Sequence, residues 1–522
     1  MHLAILHYHL NRGGVTQAIL NHLEALATCP TDAQPKRVAL VSCGRREGWP
    51  DGDWRQRLPF SCEMVVVPGL EYDDSNTADA GGLADALIHG LEEIGFPLDD
   101  TLIHSHNHSL GKNASLPGAL AILAERGCRL LLQVHDFAED FRPANYRHLT
   151  RSLRARTAAD LAATLYPQAR GIHYATLTGR DHGLLSQAGV PVERLHVLPN
   201  PIVDFHGLPP EDDARVAVRL ALDVPSDARL VVYPVRGIRR KNLGEMLLHS
   251  ALAEALGGGE RCYAVTLAPE NPVERASFDR WQQLAEQCEL NCRFDIGGHG
   301  VPFTDALAAC DAILTTSVAE GFGMVFLEAW LAGRPLVGRD LPEITQDFLA
   351  SGLEFRGLRS ELRVPLSWVD TAELRRQLVE LHGWACRDFN IAPPGDTAAQ
   401  LETLLGGDSI DFASLTTACQ AQAINKAADN PSHALAELVA INDGLSETAL
   451  FDGEGQAELI APNAERVHQA YSPAAIGSRL SEIYGRVMAD APGKAPTPPP
   501  AGDFILDHFL RLDRLRPVRI EA

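Results

Sequence analysis

Two carboxylates bracket a glycine pair in AEGFGMVFLEAWLAGRP, residues 319–335: Glu320 lies before the glycines and Glu328 after them. The other residues there are nearly all apolar or small, an unusual setting for side chains that normally lie on solvated surface. The preceding AILTTS reads as a strand, and MVFLEAWLAG reads as a helix that must begin near Gly323. Glu320-Gly321-Phe322-Gly323 is then the turn at a strand's carboxyl end, where open α/β sheets bind ligands. Glycines let backbone N–H groups approach an anion, and a helix N-terminus adds roughly half a positive charge. A carboxylate is a poor phosphate partner but a good acceptor for sugar hydroxyls. Such a turn suits a nucleotide sugar, with its diphosphate on the amides and its hydroxyls on the acids. An ordinary glycine turn beside an acid fits the same letters.

VVYPVRGIRRKNLGEML supplies the cations that such a ligand needs. Arg236 ends a strand and Lys241 stands near the start of the next helix, in the same domain as the glutamates. Two fixed cations there would neutralise a departing diphosphate; losing one such group typically costs a few kcal/mol of transition-state stabilisation. Arg239 and Arg240 read as a solvated basic loop. Near the start of the chain, HYHLNRGGVTQAIL is a strand, a glycine turn and a helix, with Gly13 and Gly14 at the turn. A tight turn alone also explains that pair. LLLQVHDF delivers His135 and Asp136 to a strand end, where His135 either meets a sugar hydroxyl or serves as a structural donor. HSHNHSLGKN spaces His104, His106 and His108 so that a continuing strand puts them on one face. Three histidines suggest a metal, but no carboxylate or cysteine follows at a useful spacing. The reading taken is no metal and a polar pocket, in which Arg12, His106, Lys112 and Asn113 receive an acceptor carrying an anionic group.

The elements that must position these residues alternate between short apolar runs and helical patterns, the signature of βαβ units on parallel sheets. Seven strand signals (LAILHY, RVALVSC, EMVVVPGL, TLIHSHN, RLLLQVHDF, HYATLTG and LHVLPN) precede a polar, proline-containing break. Five more follow it: RLVVYPV, CYAVTLAP, CRFDIGG, AILTTS and RPLVGRD. The organisation expected is a first Rossmann-like domain over 1–200, a connector over 201–226 and a second Rossmann-like domain over 227–395. A helical insertion follows over 396–465, then a closing helix over 466–490, then a proline-rich linker and C-terminal helix over 491–522. In the closing segment Ser472 caps, Pro473 opens the first turn, and Ile476, Leu480 and Ile483 share a face. Ile505, Phe509 and Leu512 stand at helical spacing in the tail.

The 522 residues are too many for one ordinary core. With 45% hydrophobic and 22% charged residues the chain is globular rather than disordered. A formal net charge of −22 repels nucleic acid and anionic lipid at long range. No apolar run reaches the roughly 18 residues that span a bilayer, and the N-terminus lacks a signal-peptide pattern. The default expectation is a cytoplasmic protein. The ten cysteines are scattered and read as reduced thiols.

Taken together, RGGV, VHDF, GVPVERLHVLPNPIVDF, VRGIRRKN and EGFGMVFLEAWLAGRP resemble the retaining GT-B-fold glycosyltransferases of family 4, also called glycosyl transferases group 1. Glu320 and Glu328 fit that family's E-x7-E pattern, and Arg236 and Lys241 fit its Arg-x4-Lys pair. The resemblance covers residues 3 to 345 and resumes at YSPAAIGSRLSEIYGRVM. It implies two Rossmann-like doubly wound parallel-sheet domains facing a cleft, in which an NDP-sugar binds. Arg236 and Lys241 would contact the diphosphate and Glu328 the ribose. Glu320, with the backbone of Gly321, Phe322 and Gly323, would hold the donor sugar. Gly13 and Gly14 would approach the phosphates, and His135 the 6-hydroxyl. Transfer would retain anomeric configuration by front-face attack, the departing phosphate oxygen helping to take the acceptor's proton. No cofactor or metal is required. TLAPEN departs from the glycine-rich strand end of many relatives, which leaves the base open among UDP, GDP and ADP.

The expected activity is hexosyl transfer to a small soluble polar acceptor, as in compatible-solute or glycoside synthesis. Alternatives are transfer to a polysaccharide or lipid-linked glycan, and a disaccharide phosphorylase or synthase of the same fold. From another class stands an inactive scaffold that binds a nucleotide sugar; four intact site residues argue against it. The acceptor's identity and any homo-oligomer are left open.

Overall fold

The computed structural model describes residues 1–522 except 51, 206, 257–258, 444, 446–454, 492–494 and 521–522. Parts of the expected helical insertion and of the proline-rich stretch therefore lie outside the described residues. Two compact units form: one from 1–203, 388–390 and 468–509, the other from 204–387, 391–467 and 510–522.

All twelve strand signals form strands. In the first unit these are β1 (His2–Leu6), β2 (Arg37–Ser42), β3 (Ser61–Val66), β4 (Thr101–His106), β5 (Arg129–Val134), β6 (Ile172–Thr176) and β7 (Leu195–Val197). They make one sheet in the order β3-β2-β1-β4-β5-β6-β7, parallel throughout. β4 is buried at all six positions, as a strand covered on both faces must be. The chain reverses its direction of winding between β1 and β4, the position at which open α/β sheets bind ligands beyond their strands' carboxyl ends.

The second unit repeats the scheme with β8 (Arg229–Arg236), β9 (Arg261–Leu267), β10 (Cys292–Arg293), β11 (Ala312–Thr315), β12 (Leu336–Arg339) and β13 (Leu358–Arg359). Their order is β10-β9-β8-β11-β12-β13, so the reversal falls between β8 and β11. A small antiparallel pair joins β14 (Arg363–Pro365) to β15 (Ser409–Asp411).

Four local differences from the sequence reading have simple causes. The stretch read as connector carries the helix Glu211–Leu222, whose first turn holds Glu211, Asp212 and Asp213. Acids there favour a helix start, which the clustered prolines of the same stretch mask in the sequence. The region read as purely helical supplies β15, three residues too short to show a period. Thr497, within the expected stiff linker, exchanges both backbone hydrogen bonds with Gln168 at 2.8 and 2.9 Å. The tail helix stops at Phe509, and buried Leu512 opens a separate 3-10 turn.

The helix Pro473–Ala489 forms as the spacing predicts, with Ser472 capping through Ala475 N–H. It packs Ile476, Leu480, Ile483, Tyr484 and Val487 into the core of the first unit, against Ile19, Leu23 and Leu26 of the helix Gly14–Ala27. Gly477 permits the close approach: a Cβ there would stand 2.2 Å from the Ala25 carbonyl oxygen. All ten cysteines are free thiols.

Candidate functional site

In the second unit the reversal point brings β8 and β11 side by side, with Ile313 opposite Val232. The loop after β8 and the loop after β11 therefore emerge together, and they carry Lys241 and Glu320. The Lys241 ammonium donates to Glu320 Oε1, and Arg240 Nη1 donates to Oε2 at 2.8 Å. Ser317 Oγ adds a 2.6 Å hydrogen bond to the same carboxylate, and Ser317 is itself held by the Tyr233 hydroxyl at 2.6 Å. Glu320 is buried. Burial alone would push its carboxyl up, but the Lys241 and Arg240 cations more than reverse this and hold it at about 2. Burial pulls the Lys241 ammonium below its ordinary value, with Arg240 acting in the same sense and Glu320 opposing.

Glu328 lies one turn into the helix Val325–Leu331, which begins two residues later than expected. Gly323 sits at φ +84°, in the left-handed region, and a Cβ there would meet Phe326 at 2.7 Å. That turn requires glycine for the fold itself. Glu328 is half-buried, and its carboxyl makes no hydrogen bond among the described residues. Burial raises it to about 7, against the pull of Lys241. Two carboxyls in one turn thus have affinities for protons pushed far apart, a pattern common where acids have separate roles. Two cations facing one ionised carboxylate leave a positive surplus at the reversal point, which suits an anion. Phe322 packs edge-to-face on Phe348, with ring centroids 5.6 Å apart, so only its backbone is available to a ligand.

Arg236, at the end of β8, is exposed and pairs with Glu270 at 2.9 Å rather than with the glutamates of the turn. Arg240 takes the place beside Lys241, although its sequence context points to solvent; Arg239 next to it pairs with Glu274. No residue pattern separates these two arginines. The side chain that turns inward is decided by the 3-10 turn Arg239–Lys241. That turn ends at Asn242, in the left-handed region at φ +51°. Asn242 is clamped by Gln420 Nε2 at 3.0 Å and reaches Glu245 at 2.8 Å. Gln420 comes from the region that sequence patterns left without a role, so this added segment braces the loop bearing Lys241.

In the first unit, Gly13 caps and Gly14 opens the helix Gly14–Ala27, which has no side-chain cap. Gly13 is in extended backbone that any residue adopts, and a Cβ on Gly14 would meet nothing within 4 Å. Neither glycine is demanded by packing, and both are exposed, as is Arg12. His135 is buried, and its Nε2 shares a 2.9 Å hydrogen bond with His106 Nδ1. Its Nδ1 carries no hydrogen bond among the described residues. Burial pushes His135 down to about 4, with Asp136 opposing, so the ring is neutral at pH 7.

Two expected acceptor contacts need correction. His106 is fully buried under its neighbours, with Nδ1 committed to His135. Asn113 is also buried, and its side chain is spent internally: Nδ2 donates to Gly69 and Glu71 carbonyls at 2.8 and 2.7 Å, and Oδ1 accepts from Ser115 and Leu116 amides. Lys112 is half-buried over the Tyr72 ring, 5.3 Å from its centroid, with no carboxylate partner among the described residues.

No family model matches the chain. In sequence it is similar to mannosylglucosyl-3-phosphoglycerate synthase of Petrotoga mobilis, with 26% identity over 355 residues. The match covers 66% of this chain and 66% of that protein, so the chain spans just under two thirds of the relative's length. Among solved structures it is similar to the N-terminal domain of Candida albicans trehalose-6-phosphate phosphatase, with a TM-score of 0.52 and 10% identity over 93% of this chain and 97% of that one. Anabaena HepE in complex with UDP and glucose matches with a TM-score of 0.49 and 16% identity, over 93% of this chain and 99% of that one. The chain has the GT-B fold class, with two Rossmann-like doubly wound parallel-sheet units and added helical segments toward the C-terminus.

Proposed function

We propose that the protein is a retaining hexosyltransferase of the family 4 type, moving a hexose from a UDP-, GDP- or ADP-sugar to a small anionic acceptor. The observation that carries this reading is the positive surplus at the β8/β11 reversal, where Lys241 and Arg240 converge on Glu320 beside a glycine turn. Lys241, Arg240 and Arg236 neutralise the departing diphosphate, and Arg236 leaves its exposed pairing with Glu270 to do so. Glu328 accepts from the ribose. Glu320 and the backbone of residues 321–323 hold the donor sugar, and His135 offers Nδ1 to a sugar hydroxyl. Gly13 and Gly14 leave bare backbone for the phosphates. The departing phosphate oxygen takes the acceptor's proton during front-face attack, so no second carboxylate nucleophile and no metal at the diphosphate are needed.

The Petrotoga relative is named for the synthesis of a sugar joined to phosphoglycerate, which supports an anionic acceptor. Arg12 and Lys112 are the cations suited to it. The chain's strong negative charge and the lack, among the described residues, of a helix long and apolar enough to cross a membrane agree with work on a soluble acceptor in the cytoplasm.

The test is a thermal-shift panel of nucleotide sugars followed by turnover with the best donor. A ligand at about a hundred times its dissociation constant adds roughly 2.7 kcal/mol of stability. Lys241→Ala is expected to lower kcat by about 10²–10³ while the variant stays folded. Full turnover in that variant refutes the site.

A further inference from the structure

β4 carries His104 and His106 two residues apart, so both side chains lie on one sheet face, and the helix Gly14–Ala27 lays His22 over them. All three are fully buried, with ring centroids 4.2 Å apart for His104 and His106, and 5.8 and 5.6 Å from His22 to each. One nitrogen from each lies within 4.8 Å of the others. Both nitrogens of His22 and Nε2 of His106 are buried without a hydrogen-bond partner among the described residues. Dry, unpaired imidazole nitrogens are costly, and nothing in the packing of this core demands histidine at position 22.

We propose that His22, His104 and His106 bind a late first-row divalent ion of the zinc class inside the first unit. Imidazole nitrogens suit such ions, and three histidines leave a fourth position, as in known three-histidine zinc sites. Neighbours orient the ligands: Gln133 Oε1 can only accept from His104 Nε2, which leaves the lone pair on Nδ1, where the Tyr484 hydroxyl now reaches it at 2.9 Å. His135 bonds Nδ1 of His106 and leaves Nε2 to the ion. Two nitrogens on one tetrahedral zinc stand about 3.4 Å apart, so the rings of His22, His104 and His106, which lie stacked at 20° and 28°, must rotate until their lone pairs converge and the widest pair closes by about an ångström. His108 is not part of the group; its Nε2 meets the Leu165 carbonyl at 2.8 Å. His106 touches His135 of the proposed donor site, but occupancy is read without turnover, so the test does not depend on the transfer reaction.

The experiment uses the full untagged chain, stripped with a chelator and then titrated with zinc or cobalt(II). About one equivalent of zinc, a tetrahedral cobalt spectrum and a zinc-dependent rise in Tm are expected. His22→Leu should bind less than about a tenth of an equivalent and lose the Tm response, yet fold in chelator, because it orphans no partner. The exposed His89→Ala should bind as the wild type does. If His22→Leu does not fold, the wild-type cobalt spectrum decides alone. Wild-type protein that takes up no metal and shows no cobalt bands overturns the proposal, as does a His22→Leu variant that retains the ion.

Discussion

Glu320 and Glu328 stand eight positions apart and are pushed in opposite directions as acids, and the difference lies in what each faces. Glu320 has an ammonium, a guanidinium and a hydroxyl on its two oxygens. Glu328 is withdrawn from water, with only the pull of Lys241 opposing. The consequences for stability have opposite signs. Glu320 has a folded-state value near 2, below its ordinary 4.5, so it contributes stability above about pH 4.5 that is lost as pH falls toward 2. Glu328 has a folded-state value near 7, above its ordinary 4.5, so it costs the fold increasingly as pH rises from 4.5 to 7, and constantly beyond. Glu328→Gln should therefore match the wild type in Tm at pH 4 and exceed it at pH 8. Equal melting at both values contradicts the raised affinity of this half-buried carboxyl for its proton.

At the scale of elements, the loop bearing Lys241 is held from behind by parts far away in sequence. Arg339, at the end of β12, donates to Glu245 at 2.7 Å and to Asp411 of β15 at 2.8 Å, all three being buried. Glu245 is also the partner of Asn242, and Gln420 is the other. An ion triad of this kind fastens β15 and the added helices to the parallel sheet next to the loop bearing Lys241. Removing one member of a buried pair strands the others, so Arg339→Ala is expected to cost about 3–5 kcal/mol in denaturant unfolding. A loss below about 1 kcal/mol, the worth of an exposed pair, shows that water reaches the triad.

At the scale of the molecule, the first unit is not continuous in sequence: the chain leaves after Val203, rejoins briefly at 388–390, and returns at His468 to lay the helix Pro473–Ala489 on it. That helix buries five large apolar side chains against the helix Gly14–Ala27. A chain ending at residue 467 would expose that whole face. It should lose its cooperative thermal transition for the first unit, as followed by circular dichroism and calorimetry. If the truncated chain still melts as the intact one does, the returning helix is dispensable to the core.

Periodicity and residue type by themselves determined much: twelve strands, two doubly wound units, the capped closing helix and the turn holding Glu320. Each of these is local, written in an alternation of period two or 3.6, a glycine, or a capping serine. Which of Arg236, Arg239 and Arg240 meets Glu320, and why Asn113 and His106 are spent on their neighbours, was decided only in three dimensions. So was the meeting of His22 with His104 and His106, some eighty positions away. Such contacts join residues that no short-range pattern connects, and burial, which sets their charge and their partners, exists only after the sheets and helices have packed.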